Sequence, residues 1–210
     1  MAGVALGTRA RTPTRRSAHV RAKRQRRRAE ILHAALRAFR SAGYHGTTLD
    51  DIARQLGVRK TALYHYFPDK EAILHACHRE GLDEVAGIVA AARRRPSHAE
   101  QLAHAIREHV RVMTDTLEGS SLALEVSALS SRHQAEVIAA RDRYEQALRD
   151  IVRRGVAAGE FRAVDPKLAV FAILGAINWV ARWYSPAGSM HPRALGTHFA
   201  DHLVRGLLAP

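Results

Sequence analysis

Apolar residues return every three or four positions through most of the 210-residue chain. That is the repeat of helices packed by one face. From Arg28 to Tyr44 the repeat places Ile31, Leu32, Ala35 and Phe39 on one side. Leu49, Ile52, Ala53 and Leu56 make a second, shorter stripe. Thr47 or Thr48, each followed three residues later by an aspartate, marks its start as a capping box, with the register open between the two. Gly57 suits a sharp reversal into a third, short helix that Pro68 stops. Val58, Leu63 and Phe67 point inward there, leaving Arg59, Lys60, Thr61, Tyr64 and His65 mainly outward. A short helix with an apolar back and a basic, aromatic, hydroxylated front is what the major groove of DNA accepts. An ordinary helical hairpin with charged outer faces is the competing reading.

Six further helical stretches follow. Asp69 caps a long one that carries Ile73, Leu74, Leu82, Val85 and Val89 and ends near Arg93-Arg94-Arg95-Pro96. Ser97 opens the next, with Leu102, Ile106, His109, Val110 and Met113 on one side, and Gly119-Ser120-Ser121 breaks it. A shorter apolar helix is expected over Leu122–Leu129. A long amphipathic one then turns Val137, Ile138, Tyr144, Leu148, Ile151 and Val152 inward and ends at Gly159. Asp165-Pro166 opens a helix that is apolar nearly all round from Leu168 to Val180, so that it is buried on several sides. The last helix starts near Pro192 with Leu195, Phe199, Leu203 and Leu207 as a stripe. The expected fold class is all-α.

Composition narrows the function. A single cysteine, Cys77, rules out an intrachain disulfide framework. No apolar run is long enough to cross a membrane. Net charge is +13, and ten bases (Arg9, Arg11, Arg15, Arg16, Arg21, Lys23, Arg24, Arg26, Arg27, Arg28) precede the first acid, Glu30. Such a block repels itself until it meets phosphate, so residues 1–26 are expected to be a disordered basic arm that adds salt-dependent affinity for DNA. An inert solvated tail or an organellar transit peptide would read similarly. His75, Cys77 and His78 are close, but two ligands at i and i+3 with no third give no metal site, and no cofactor is expected. No nucleophilic triad, phosphate-binding glycine loop or carboxylate pair stands above chance, so no enzyme is expected.

Residues Thr47, Thr48, Ile52, Ala53, Gly57, Val58, the run Leu63-Tyr64-His65-Tyr66-Phe67 and Lys70 resemble the helix-turn-helix of TetR-type transcriptional repressors. Arg28 to Tyr44 is similar to that family's first helix. Where the family often reads Val-Ser-Lys-Gly-Thr-Leu-Tyr, this chain reads Val58-Arg59-Lys60-Thr61-Ala62-Leu63-Tyr64, so no operator sequence carries over. The resemblance implies a three-helix DNA-binding domain over residues 27–70 and a larger helical domain over 71–210 that dimerises and binds an effector. Arg59, Lys60 and Thr61 would contact bases. Thr47, Thr48, Tyr64, His65, Tyr66 and Lys70 would hold phosphates and fix register. The last two helices would form a four-helix homodimer interface, presenting two recognition helices about 34–36 Å apart to a palindromic double-stranded operator. The location implied is the bacterial cytoplasm, on the nucleoid.

The effector site is read from residues and resemblance together. Asn178 and Arg182 share a face of an otherwise apolar helix, Trp179 and Trp183 flank them, and Glu125 could pair with Arg182. With Met113 and Tyr144 they make an aromatic-walled pocket with a few placed polar groups, or only a structural network between helices. The run Gly175-Ala176-Ile177-Asn178-Trp179, with Trp183, Tyr184, Pro186 and Gly188, resembles TetR regulators of fatty-acid, phenylacetate or sterol catabolism that respond to acyl-CoA thioesters. Arg182 and Arg93-Arg94-Arg95 could meet the phosphates. A regulator of a drug-like cation or other hydrophobe, and a non-regulatory helical module or enzyme with a basic arm, are the rival readings.

Overall fold

The structure, a computed structural model, describes residues 15–116 and 125–210. Eight α-helices account for most of them: α1 Arg15–Gly46, α2 Leu49–Gln55, α3 Lys60–Tyr64, α4 Lys70–Ala92, α5 His98–Arg111, α6 Ser131–Ala157, α7 Pro166–Trp183 and α8 Pro192–Arg205. The one β-type pairing among the described residues is an isolated bridge from Phe161 to Leu208. It ties the chain end to the α6–α7 loop.

Local chemistry explains most boundaries. Thr48 settles the open register at α2: its Oγ1 accepts from the Asp51 N–H, while the Asp51 carboxylate accepts from the Thr48 N–H. Gly57 turns the chain from α2 to α3 with φ at +63°, a conformation a side chain would strain. Asp69, Ser97 and Asp165 cap α4, α5 and α7 as expected.

Three expectations change. The helix expected to start near Arg28 begins at Arg15, so residues 15–26 are helical rather than a disordered arm. Arg, Ala, Lys and Gln are strong helix formers, and no proline or glycine interrupts them before Gly43. Residues 1–14 of the expected arm lie outside the described residues. So do the Gly119-Ser120-Ser121 break and the start of the helix expected over Leu122–Leu129, whose described end is only a 3₁₀ turn at Val126–Ala128. Ile138, expected inward, is 48% exposed.

The buried side chains form two clusters that meet on α4. The first packs Ile31, Leu36 and Phe39 of α1 against Ile52, Leu63, Phe67 and the first turns of α4 (Ile73, Leu74, Cys77), with Leu129 and Val137 closing it. The second runs from Val85 and Ile88 of α4 through α5, α6, α7 and α8. The cores therefore divide within α4, past residue 77, rather than at residue 70. The α8 stripe is spent inside the chain. Leu195 and Leu207 are buried, Phe199 and Leu203 are half-buried, and α8 packs mainly on α5. Gly196 allows the approach, since a Cβ there would lie 3.0 Å from the Arg107 carbonyl oxygen.

Candidate DNA interface and effector cavity

Helix α3 is held from behind and bare in front. Leu63 and Phe67 sink into the first core, while Arg59, Thr61, Tyr64 and His65 are exposed on one surface. Tyr64 is 49% exposed, a large ring left open to solvent among the described residues. Lys60 stands between the two roles. Its ammonium donates to the Asp50 carboxylate at 3.1 Å, and that bond and charge raise its pKa. The pair bridges the start of α2 to α3 on the exposed side.

Four expected DNA contacts sit differently. Thr47 is buried, and its hydroxyl shares its hydrogen between the carbonyls of Ala38 and Gly43, at 3.1 and 2.8 Å. Its side chain cannot reach a phosphate; it fastens the α1 end after the kink at Gly43. Lys70 turns its ammonium inward to the carbonyls of Tyr44 and Thr47, both at 2.7 Å, and lies 4.2 Å from the Tyr44 ring centroid. Burial lowers its pKa. Its charge answers carbonyls at a helix end rather than an external anion. Thr48 is exposed but already engaged with Asp51. Tyr66 is half-buried beside Phe67, whose ring Arg28 covers at 4.3 Å.

The second core contains a cavity of about 230 Å³ between α4, α5, α6 and α7. Of the seven residues expected at an effector site, Met113, Tyr144 and Asn178 line it. The other four expected residues do not. Trp179 and Trp183 are 63% and 47% exposed and share an outer face of α7 with Leu168 and Phe171. Arg182 is exposed as well. The reason is helical phase: Val170, Ile173, Ile177 and Val180 take the inner side of α7, and Trp179 falls about 200° from Ile177. Glu125 precedes the 3₁₀ turn packed on the first core, and its charge is among those that raise the Tyr44 pKa, so it is no partner for Arg182.

Residues not foreseen complete the cavity: His78, Arg141 and Glu145, with His109 turned toward it. Tyr144 Oη and His109 Nδ1 are 3.1 Å apart, both buried. Burial holds His109 neutral, its pKa lowered to about 4, and raises that of Tyr144. His78 is lowered to about 3 by burial and then by the charges of Arg141 and His75. Burial also lowers Arg141. Glu145 is paired with Arg149. Next to the cavity the α5 hydrogen-bond pattern loosens into a π-turn at Val112–Thr116 that supplies Val112 and Met113, a distortion frequent at functional sites. Only His109 had a visible signal, its place on an apolar stripe. His78 and Arg141 sit in sequence like surface residues.

His75 and His78 diverge. The His75 ring stacks on His133 at 3.7 Å, and His133 Nδ1 is 2.7 Å from Glu71. Cys77 is buried against the carbonyl of Leu32. Among the described residues no group of three or more His, Cys, Asp or Glu could hold a metal ion, and no helix is long and apolar enough to cross a membrane.

A bare recognition helix behind a capped turn, joined by one long helix to a domain with an internal cavity, is the architecture of a helix-turn-helix regulator. Comparison with known proteins agrees. Residues 31–77 match the description "Bacterial regulatory proteins, tetR family", and residues 95–207, more than half of the chain, match "Tetracyclin repressor-like, C-terminal domain". The chain belongs to the TetR family of transcriptional regulators. It is 28% identical over 200 residues to the transcriptional repressor KstR2 of Rhodococcus jostii (strain RHA1), covering 88% of this chain and 92% of that one. Among solved structures, the TetR regulator PfmR of Thermus thermophilus superposes with a TM-score of 0.77 at 34% identity, covering 85% of this chain and 99% of that one. AibR in complex with isovaleryl coenzyme A and operator DNA superposes with a TM-score of 0.74 at 26% identity, covering 87% and 99%.

Proposed function

We propose that this protein is a dimeric repressor that binds a palindromic operator in the cytoplasm and is released by a small acyl effector, an acyl-CoA thioester being preferred. The observation that carries the DNA reading is the single exposed face of α3, with Arg59, Thr61, Tyr64 and His65 together on a helix pinned from behind. Arg59 and Thr61 are the base contacts. Lys60 joins them by exchanging Asp50 for the duplex. Tyr64 and His65 set register on the phosphates. The ten-base N-terminal block adds the salt-dependent part.

Dimerisation follows from the outer face of α7. Leu168, Phe171, Trp179 and Trp183 are 65%, 48%, 63% and 47% exposed on one helix. An apolar patch of that kind marks an interface. Because α8 packs mainly on α5, α7 contributes most of the apolar contact.

Support for a thioester comes from two adjoining spaces. The cavity suits only a compact acyl group. A groove between α4 and α6, bounded by Arg79, Arg93 and Arg143 over Ala86, Val89 and Ala140, shares Leu82 and Tyr144 with the cavity wall. One layer of side chains thus separates the cavity from a groove whose three arginines, beside Asp83, are able to take a phosphorylated tail. AibR, a structural relative, is solved with isovaleryl coenzyme A and operator DNA. A drug-like cation is the weaker rival, since Arg141 lines the cavity and the Glu145 carboxylate there is already paired with Arg149.

The test is a gel-shift titration with the gene's own upstream DNA, with and without a panel of acyl-CoA thioesters. Specific, saturable binding released by one thioester is the expected result. Specific binding that no thioester disturbs would remove the acyl-CoA part and leave the regulator; weak binding to any DNA would remove the regulator.

A further inference from the structure

His78 is the least satisfied polar group on the cavity wall. It is 4% exposed, and its Nε2 makes no hydrogen bond among the described residues. Buried polar atoms are nearly always paired, so an orphan on a side chain that lines a cavity points at a ligand atom. The other wall carries Arg141, from α6. A neutral imidazole offers one N–H, and a guanidinium offers only N–H groups. Two side chains that carry N–H groups, one from α4 and one from α6, therefore border the same small space. The rest of the wall is apolar at Leu82, Val85, Val112, Met113 and Leu174 and polar at Asn178, at the Tyr144–His109 pair and at Glu145, whose carboxylate is held by Arg149. What fits is a short apolar body with an oxygen that accepts more than one hydrogen bond.

We propose that His78 and Arg141 together anchor the carbonyl or carboxylate oxygen of a compact acyl ligand in this cavity. The inference rests on the effector reading above and assigns its polar contact. It also supplies the link to DNA. His78 lies one residue beyond Cys77, the last α4 residue in the core that holds α3. An oxygen shared by His78 and Arg141 fixes the middle of α4 against α6, and the head at the start of α4 follows that change. The ligand acts by its different contacts in the two positions of α4.

The oxygen can belong to a free acid or to a thioester, and one titration separates them. Full-length protein is titrated calorimetrically with hexanoic acid, hexanoyl-CoA and 1-hexanol, which share a chain and differ at the oxygen. The acid or the thioester should bind at least about tenfold more tightly than the alcohol. His78→Leu and Arg141→Met should each collapse that preference toward unity, and Arg141→Lys should restore part of it. Circular dichroism on each variant identifies any that fails to fold, and His78→Gln then replaces His78→Leu. Preference for the acid alone assigns a carboxylate; preference for hexanoyl-CoA alone assigns a thioester. Equal binding of all three, no binding of any, or an unchanged preference in folded variants would overturn the anchor. A parallel gel shift on the wild type keeps this outcome separate, because specific operator binding without any ligand effect leaves the regulator standing.

Discussion

The two ends of the molecule place their polar groups in opposite ways. In the head, polar side chains are either fully satisfied, as Thr47 and Lys70 are on backbone carbonyls, or presented to solvent, as Arg59, Thr61 and Tyr64 are. In the effector domain the polar groups face inward. His78, His109, Tyr144 and Arg141 surround a cavity, and the His78 Nε2 is left without a partner among the described residues. A reader of a rigid duplex needs fixed geometry, which satisfied bonds supply. A sensor needs unsatisfied groups and spare volume, which cost stability. The difference assigns the roles of the two ends before any partner is considered.

The largest expected effect breaks the contrast from outside both sites. Trp179→Glu puts a charge on the exposed apolar face of α7 and should abolish the dimer. Operator affinity should then fall about a hundredfold or more, or about 3 kcal/mol, because one head replaces two. Light scattering gives the mass and a gel shift the affinity. A variant that stays dimeric removes this face from the interface.

Core truncation asks whether the two ends unfold separately. Leu63 and Leu148 are each 1% exposed, one in each core. Either changed to alanine should cost about 2–5 kcal/mol. Leu63→Ala should loosen α3 and lose operator binding while the dimer persists, whereas Leu148→Ala should lower the main thermal transition. Identical single transitions in both variants would mean that α4 makes one cooperative unit of the whole chain.

Acid should act on the effector end first. His78 and His109 have folded pKa values of about 3 and about 4, both below the unfolded value near 6.5. Between those limits the unfolded chain binds more protons, so stability falls as pH drops from about 6.5 toward 4. His75, lowered by burial and then by the His133 charge, adds in the same sense at the joint. In the head, Glu71 is lowered despite its burial, by bonds from Ser130 and His133, so its share is lost only below about 4.5. Melting followed between pH 7 and 5 should show a falling midpoint. A flat midpoint over that range would mean that the two buried imidazoles are charged or solvated.

How much of this was legible in sequence follows the same division. Helix order, caps and the α2–α3 turn are local, so Gly57, Asp69 and Asp165 announced them. The exposed front of α3 was legible because apolar spacing fixes which side is buried. The cavity was not. Arg141 follows two alanines on a long amphipathic helix and looks like a surface residue until α4 and α7 close over it. The Trp179 and Trp183 pair misled for the converse reason: aromatic residues on an apolar helix suggest a pocket, and only the phase of α7 against α5 and α6 turns them outward. Thr47 and Thr48 show the limit of local rules. Both fit a cap by composition, and the choice depended on the Ala38 and Gly43 carbonyls, which the kink in α1 brings to Thr47.

The smallest effect sharpens the comparison most. Thr48→Ala removes the cap of α2 and should cost about 1 kcal/mol of head stability, with the cavity untouched. Its hydroxyl also holds Asp51, which in turn pairs with Arg54 at 2.9 Å. Loss of the cap frees the first turn of α2, where Asp50 tethers Lys60 of α3. Operator affinity should therefore fall several-fold although no base contact has been removed, and acyl ligand affinity measured by calorimetry should stay at the wild-type value. Thr48→Ser keeps the cap and should keep the affinity. If Thr48→Ala instead weakens ligand binding as much as DNA binding, the two ends are not separable at this level, and α4 transmits even a fraying first turn of α2.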